Sequence, residues 1–382
     1  MSYPAEAPID EYGPEAAKAP VSRPARSAPP PPVLTPEQSK IRADVLRDLL
    51  IRNEREVTLG GYAGTGKTTL IRALLDALKG FAVCAYTGKA ANVLRRKGVP
   101  ASTIHSLIYQ PDDSTGVTRF VLKPPAVLAS LRGFVVDEAS MVSDTIYRDL
   151  ATFGKPILFV GDHGQLEPVG SSFNLMADPK YRLETIHRNA GAIARFAEGL
   201  RHRGLAAERP DSPEITFVKP AELTVRMMAD ADQVCVGLNA TRVKANAAIR
   251  EALGRTALVE VGDRVMCLRN NRDYGLFNGL QATVTAVEHG RKPRFDLAAE
   301  GTTWRGIPFE PPQFGEVSAP KFVKGSPTVP FDYAYAATCH KLQGDEADTV
   351  LVIVQQVGSC NMHRWAYTAA TRARKHLVWV AS

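Results

Sequence analysis

No stretch of this 382-residue chain holds the roughly eighteen uninterrupted apolar residues that a membrane-spanning helix needs. Runs such as Val350–Val354 are strand-length. Helical membrane proteins are therefore excluded. The opening residues Met1–Glu6 lack a basic head followed by an apolar stretch, so no signal peptide is expected. Cysteine is sparse: Cys84, Cys235, Cys267, Cys339 and Cys360 are scattered singly, without a C-x-x-C pair. That pattern speaks against a disulfide framework and against a zinc site, and it fits a reducing cytoplasm. No internal repeat is visible.

What is present is the composition of a soluble globular protein, 45% hydrophobic and 23% charged, in a chain long enough for two or three domains. A net charge of +7 and a pI near 9.1 favour a polyanionic partner without deciding for one.

Residues 1–33 are rich in Pro and Ala and end in Pro29–Pro32, a composition that cannot bury enough apolar surface to offset its ordering entropy. A disordered tail is expected, with a tether for a protein partner as the alternative. From Thr35 the texture changes. Thr35-Pro36-Glu37-Gln38 reads as an N-cap, a proline at the first helical position and an early acid. Ile41, Val45, Leu46, Leu49 and Leu50 then share one helical face. Short apolar runs follow, alternating with helical stretches: Val57–Gly60, Ala82–Tyr86, Gly133–Val136, Pro156–Gly161, Val234–Gly237, Leu351–Val354 and Leu377–Val380. Continuous apolar strands separated by helices predict parallel sheets covered on both faces, enough for two α/β lobes. Between 256 and 330 the Asn278-Gly279 turn signal and many Gly and Pro residues predict a small β module inserted in the second lobe. The expected division is thus a first lobe at 34–170, a second at 171–255 and 331–382, and the insert at 256–330.

Gly61-Tyr62-Ala63-Gly64-Thr65-Gly66-Lys67-Thr68 is a full G-x-x-x-x-G-K-[ST] string between an apolar run and a helical stretch. The glycines let backbone N–H groups wrap phosphates at a helix N-terminus. Lys67 is expected on the β- and γ-phosphates and the Thr68 hydroxyl on Mg²⁺, with Gly61, Ala63, Gly64, Thr65, Gly66 and Thr69 completing the ATP site. Asp137 and Glu138 end the buried run Phe134-Val135-Val136. A strand delivering two acids suits a metal ligand, Asp137, beside a water-polarising base, Glu138. These two elements make a P-loop NTPase without saying what its energy drives.

From Thr35 to Val380 the sequence resembles superfamily 1 helicases, specifically the RecD-like and Dda-like branch that moves 5′ to 3′. Thr87-Gly88-Lys89-Ala90-Ala91 and Thr103-Ile104-His105-Ser106-Leu107 resemble the first lobe's strand-gripping motifs, and Asp137-Glu138-Ala139-Ser140 the helicase form of the acid pair. Gly161-Asp162-His163-Gly164-Gln165-Leu166-Glu167-Pro168-Val169 resembles the segment that links nucleotide state to DNA. Thr338-Cys339-His340-Lys341-Leu342-Gln343-Gly344 and Tyr367-Thr368-Ala369-Ala370-Thr371-Arg372-Ala373-Arg374 resemble two second-lobe motifs. Gly262–Met266 and Phe277-Asn278-Gly279 also look like this branch.

The resemblance implies two RecA-like lobes with an SH3-like insert. It implies Gln38 on adenine, Gln165 as γ-phosphate sensor, and Arg372 and Arg188 (in Thr185-Ile186-His187-Arg188) as arginine fingers. Thr87, Lys89, Thr103, His105, Thr338, His340 and Lys341 would contact the strand. The expected protein is a monomeric cytoplasmic ATP-dependent helicase, bacterial or phage-like, acting on single-stranded and forked DNA. Ile108-Tyr109 and Val117–Val121 flank a turn at 112–116, which predicts a short hairpin near 108–122, either a strand-splitting pin with Tyr109 or Phe120 near the fork or a plain surface hairpin. Three readings stay open beside it: a translocase or remodeller that does not unwind, a nucleic-acid-binding scaffold with a spent ATP site, and a P-loop ATPase unrelated to DNA.

Overall fold

The computed structural model describes residues 32–112, 119–167, 173–185, 191–271, 274–299, 301–318, 328–358 and 360–381. The expected tail up to residue 31, Pro168, Val169, Arg188 and the tip of the expected pin lie outside the described residues, as do the side chains of 111, 112, 119 and 120.

Thr35 opens α1 (Pro36–Leu46) with a reciprocal cap: its hydroxyl accepts the Gln38 N–H at 3.2 Å, and Gln38 Oε1 accepts the Thr35 N–H at 3.1 Å. Two orphan donors of a helix start are thereby satisfied. Ile41 and Val45, one turn apart, pack into the core. The first lobe continues through β1 (Glu56–Gly61), α2 (Lys67–Leu75), β2 (Phe81–Ala85), α3 (Gly88–Arg96), β3 (Ala101–Thr103) and the short α4 (Ile104–Ile108). A hairpin of β4 (Tyr109–Asp112) and β5 (Arg119–Leu122) leads to β6 (Gly133–Asp137), α5 (Asp144–Ala151), β7 (Ile157–Gly161) and β8 (Tyr181–Leu183).

Six of these strands form one parallel sheet in the order β3-β2-β6-β7-β1-β8. Alternation sorts the side chains between its faces. Val57, Leu59, Val83, Val135 and Leu158 pack with α1, α2 and α3. Cys84, Phe134, Val136 and Phe159 pack with α4 and α5. Burial on both faces is why these strands read as continuous apolar runs. The expected boundary at 170/171 is corrected by β8, whose Tyr181–Leu183 pair with Leu59–Gly61 and so belong to the first sheet.

The second lobe contains α6 (Ala192–Arg203), β9 (Ile215–Val218), α7 (Val225–Asp230), β10 (Gln233–Val236) and α8 (Asn239–Ala252). The insert follows as β11 (Arg264–Cys267), β12 (Gln281–Glu288), β13 (Arg294–Ala299), β14 (Thr302–Pro308) and β15 (Phe331–Tyr333). The lobe closes with β16 (Ala336–Thr338), β17 (Ala347–Ile353), α9 (Met362–Ala370) and β18 (Ala373–Val380). Its parallel sheet runs β16-β10-β17-β18-β9.

The insert pairs antiparallel as β14-β13-β12-β11-β15, and the SH3-like form stays an expectation. Since β15 pairs with β11 through Tyr333 and Val265, residues 331–333 join the insert rather than the lobe expected to resume at 331. Phe295, Phe331 and Val265 share one core with Leu351 and Val378, so the insert is fused to the lobe it interrupts. The Asn278-Gly279 signal makes a tight turn, Leu280 N–H to Phe277 O at 3.0 Å with Gly279 at φ +88°. That turn ends a side excursion from residue 268 before β12, rather than linking two strands directly.

Candidate functional site

The P-loop bridges β1 and α2 at the C-terminal edge of the first sheet, where open α/β sheets gather their ligands. Gly64 and Gly66 have φ of +83° and +85°, a region a side chain strains to enter. The buried Thr65 hydroxyl donates to Tyr62 O at 2.9 Å and folds the loop on itself. Lys67 Nζ donates to Gly61 O at 2.7 Å and Tyr62 O at 3.0 Å, and stands 4.0 Å from Asp162 Oδ2. No side chain caps α2, which leaves the amides of its first turn, including those of Thr68 and Thr69, to an anion. Gln38 Nε2 donates to Thr65 O at 3.1 Å, so the residue expected on adenine also props the loop from α1.

Asp137 ends the buried β6, and Glu138 follows in the left-handed region at φ +54°, ψ +40°, a conformation that carries strain for glutamate. Asp137 Oδ1 accepts the Glu138 N–H at 3.0 Å. Burial pushes both carboxyls up. Glu138 reaches about 7, raised first by desolvation and then by Asp137, and drawn back by Lys67 and Arg372. A buried acid beside a half-buried one, both pushed toward the neutral form, suits a hard cation, and oxygen donors at Asp137 and Thr68 fit Mg²⁺.

Sequence reasoning passed over the residue at the centre of this edge. Asp162, 1% exposed, accepts the Gly164 N–H at 2.9 Å through Oδ1. Its Oδ2 accepts Gln165 Nε2–H at 3.1 Å and the Tyr367 hydroxyl at 3.0 Å. Tyr367 comes from α9 of the other lobe, and its oxygen also accepts the Ala63 N–H of the P-loop at 3.0 Å. Beside it, Leu166 N–H donates to Thr368 Oγ1 at 3.1 Å and Leu166 O accepts Gln343 Nε2–H at 3.3 Å. Gln165 O accepts from Arg364 at 3.0 Å, while its buried Oε1 has no partner among the described residues. Residues 162–166 are thus clamped by α9 and by the segment after β16. Both Asp162 and Tyr367 stood inside the quoted strings; only their meeting was hidden.

Arg372 lies 4% exposed at the cleft, with its N–H groups on Thr368 O at 2.8 Å, Asp345 O at 2.9 Å and Leu342 O at 3.2 Å. The second expected finger, Arg188, falls outside the described residues.

The residues expected on a strand gather at strand ends of both lobes. Thr87 and Thr103 are the N-caps of α3 and α4, accepting from Ala90 N–H and Ser106 N–H. His105 is exposed on α4, its ring 5.4 Å from that of Tyr109. Across the cleft, Thr338 ends β16 and is buried, His340 is half-buried, and exposed Lys341 donates to Asn278 Oδ1 at 3.3 Å. Lys89 forms an ion pair with the buried Asp345, which binds the two sets together. Gly88 adds a second bridge: a Cβ there would stand 2.6 Å from Phe277, so only glycine lets the insert's turn rest on α3. Phe277 stood in a quoted string without a role, and Asp345 is a further cleft residue that the sequence did not single out.

The description "AAA domain" matches residues 34–210, and "UvrD-like helicase C-terminal domain" matches 333–380. The conjugal transfer protein TraA of Rhizobium radiobacter is 28% identical over 362 residues, covering 83% of this chain and 30% of TraA. The ATP-dependent DNA helicase dda of Enterobacteria phage T4 is 32% identical over 143 residues, 35% of this chain and 33% of that protein. The chain therefore spans about a third of the length of TraA, and only a 143-residue segment of it matches dda. The crystal structure of Pif1 helicase from Bacteroides in complex with ADP-AlF3 and ssDNA shares the fold at a TM-score of 0.61, with 22% identity over 91% of this chain and 92% of that one. Pif1 helicase from Candida albicans does so at 0.55, with 18% identity over 92% and 94%. The chain thus joins a first segment similar to an AAA domain to a second similar to the UvrD-like helicase C-terminal domain, on a fold shared with Pif1 helicases.

Proposed function

We propose that this chain is an ATP-dependent DNA helicase that moves along single-stranded DNA, 5′ to 3′, and separates duplex strands. One observation carries the reading: residues 162–166 are bonded at once to the P-loop side and to the second-lobe segments that flank the strand-contact residues. Such wiring lets hydrolysis at one edge reposition a grip at the other.

Lys67 and the α2 amides bind the β- and γ-phosphates, and Gln38 holds the adenine end. Glu138 takes the proton of the attacking water, which Gln165 orients through its unpartnered Oε1. Arg372 turns from its own lobe's carbonyls to the terminal phosphate as the cleft closes, joined by Arg188. Held by Asp137 and Thr68, Mg²⁺ would neutralise phosphate charge.

Thr87, Lys89, Thr103 and His105 on one lobe and Thr338, His340 and Lys341 on the other hold the strand's backbone. The affinity they give is blind to sequence and falls with salt. The Bacteroides Pif1 complex holds ssDNA on the same fold, which supports the assignment. The β4–β5 hairpin is the pin that parts the fork. We also propose that the protein works as a monomer in a reducing cytoplasm, where its five thiols stay free.

The test is strand separation on forked duplexes carrying a single 5′ or 3′ tail, with Lys67→Ala as control. Unwinding of the 5′-tailed fork alone, lost in Lys67→Ala, is expected. ATP hydrolysis without separation of either fork would replace the helicase by a translocase.

A further inference from the structure

The backbone amide of Ala63 lies within the loop whose N–H groups serve phosphate, yet it donates to a side chain of the opposite lobe. Tyr367 accepts from it at 3.0 Å and hands its own proton to Asp162 at 3.0 Å, the carboxylate 4.0 Å from Lys67. We infer that Tyr367 is a positioning residue that couples the phosphate loop to the second lobe by competing with a terminal phosphate for the Ala63 amide. An N–H makes one good hydrogen bond, so a phosphate oxygen that takes this donor displaces the phenol.

The ring has little room to follow. Tyr367 is 3% exposed, a Cβ on Gly164 would stand 3.0 Å from it, and the Tyr62 ring meets its edge at 6.2 Å. Burial and Asp162 keep the phenol protonated, so it remains a donor to that carboxylate throughout the working pH range. Loss of the Ala63 contact must therefore be relieved by movement of α9. That helix carries Thr368, which holds Leu166 N–H and anchors the Arg372 guanidinium through its carbonyl. One exchanged hydrogen bond thus reaches both the 162–166 strip and the arginine finger. Arg364 and Thr368 also cross between the lobes, but neither touches the P-loop.

The inference rests on the ATPase reading above, and the experiment separates the two. Tyr367→Phe keeps the ring and removes the hydroxyl. Binding of a fluorescent ATP analogue and KM against kcat for ATP are measured for both chains, with and without single-stranded DNA. Hydrolysis by the wild-type chain that ignores DNA would sink the motor reading without touching the binding arm, which needs no DNA.

For Tyr367→Phe, nucleotide is expected to bind several-fold more tightly, because its competitor is gone. The change in nucleotide affinity caused by DNA, expected at roughly fivefold or more in the wild type, should shrink toward one. Unaltered affinity and coupling in a variant that melts like the wild type would overturn the inference, as would weaker nucleotide binding. If Tyr367→Phe does not fold, hydrogen exchange on the wild-type chain decides. ADP with aluminium fluoride should speed exchange of the Leu166 amide as Thr368 withdraws, whereas exchange that stays unchanged would contradict the inference.

Discussion

His163 stands between the P-loop and the second lobe, its ring 4.1 Å from that of Tyr62, with both nitrogens buried and without partners among the described residues. Burial holds its pKa down, near 4 against an ordinary 6.5. The fold thus favours the neutral ring, and the stability this gives is complete above pH 6.5 and lost as pH falls toward 4. Phenylalanine keeps the aromatic contact and takes no proton. His163→Phe should therefore melt with a shallower decline than the wild type between pH 6.5 and 4, the two curves running parallel above pH 7. Curves that stay parallel down to pH 4 would refute the assignment.

Arg372 offers a sharper division between structure and chemistry. Arg372→Lys should lower kcat by roughly 10³ with nucleotide affinity nearly unchanged. A lower melting temperature with intact kcat would make Arg372 a strut alone. Lys67, Asp137, Glu138 and Gln165 stand out in the sequence because each sits in a string whose spacing implies its chemistry, and the roles given to them are proposals. The contact of Ala63 with Tyr367 spans 304 positions, and no local pattern records a partner so distant.

Among the elements, the β4–β5 hairpin is where sequence and structure divide the work. The turn signal at 112–116 implied two flanking strands, and Tyr109–Asp112 pair with Arg119–Leu122 in antiparallel register. Of the two residues expected near a fork, Tyr109 lies at the hairpin's base with its hydroxyl bonded to Asp149 of α5. Deleting 111–116 should abolish strand separation and spare DNA-stimulated ATP hydrolysis. Loss of both together would show the hairpin to be a prop for the first lobe.

The long parallel strands were readable because burial on both faces leaves an unbroken apolar run. β8 and β15 were not, and they account for both misplaced boundaries. Each has only three residues, and its sheet membership comes from partners over a hundred and over sixty positions away, Leu59–Gly61 and Arg264–Cys267.

Across the whole molecule, the two lobes are joined by Lys89 with Asp345, Gly88 with Phe277, and the α9 contacts to 162–166. The alternation of apolar runs with helices announced two parallel α/β lobes. The fusion of the insert with the second lobe's core was illegible, because packing between distant segments leaves no periodicity. These contacts join the segments proposed to hold nucleotide and strand across the cleft between the lobes.

The most direct test is ATP hydrolysis by the full chain with and without single-stranded DNA, using Lys67→Ala as control. Strong stimulation by DNA, absent from Lys67→Ala and weakening as salt rises, is the predicted result. Hydrolysis indifferent to DNA at every salt concentration would contradict the account and leave a P-loop ATPase whose work lies elsewhere.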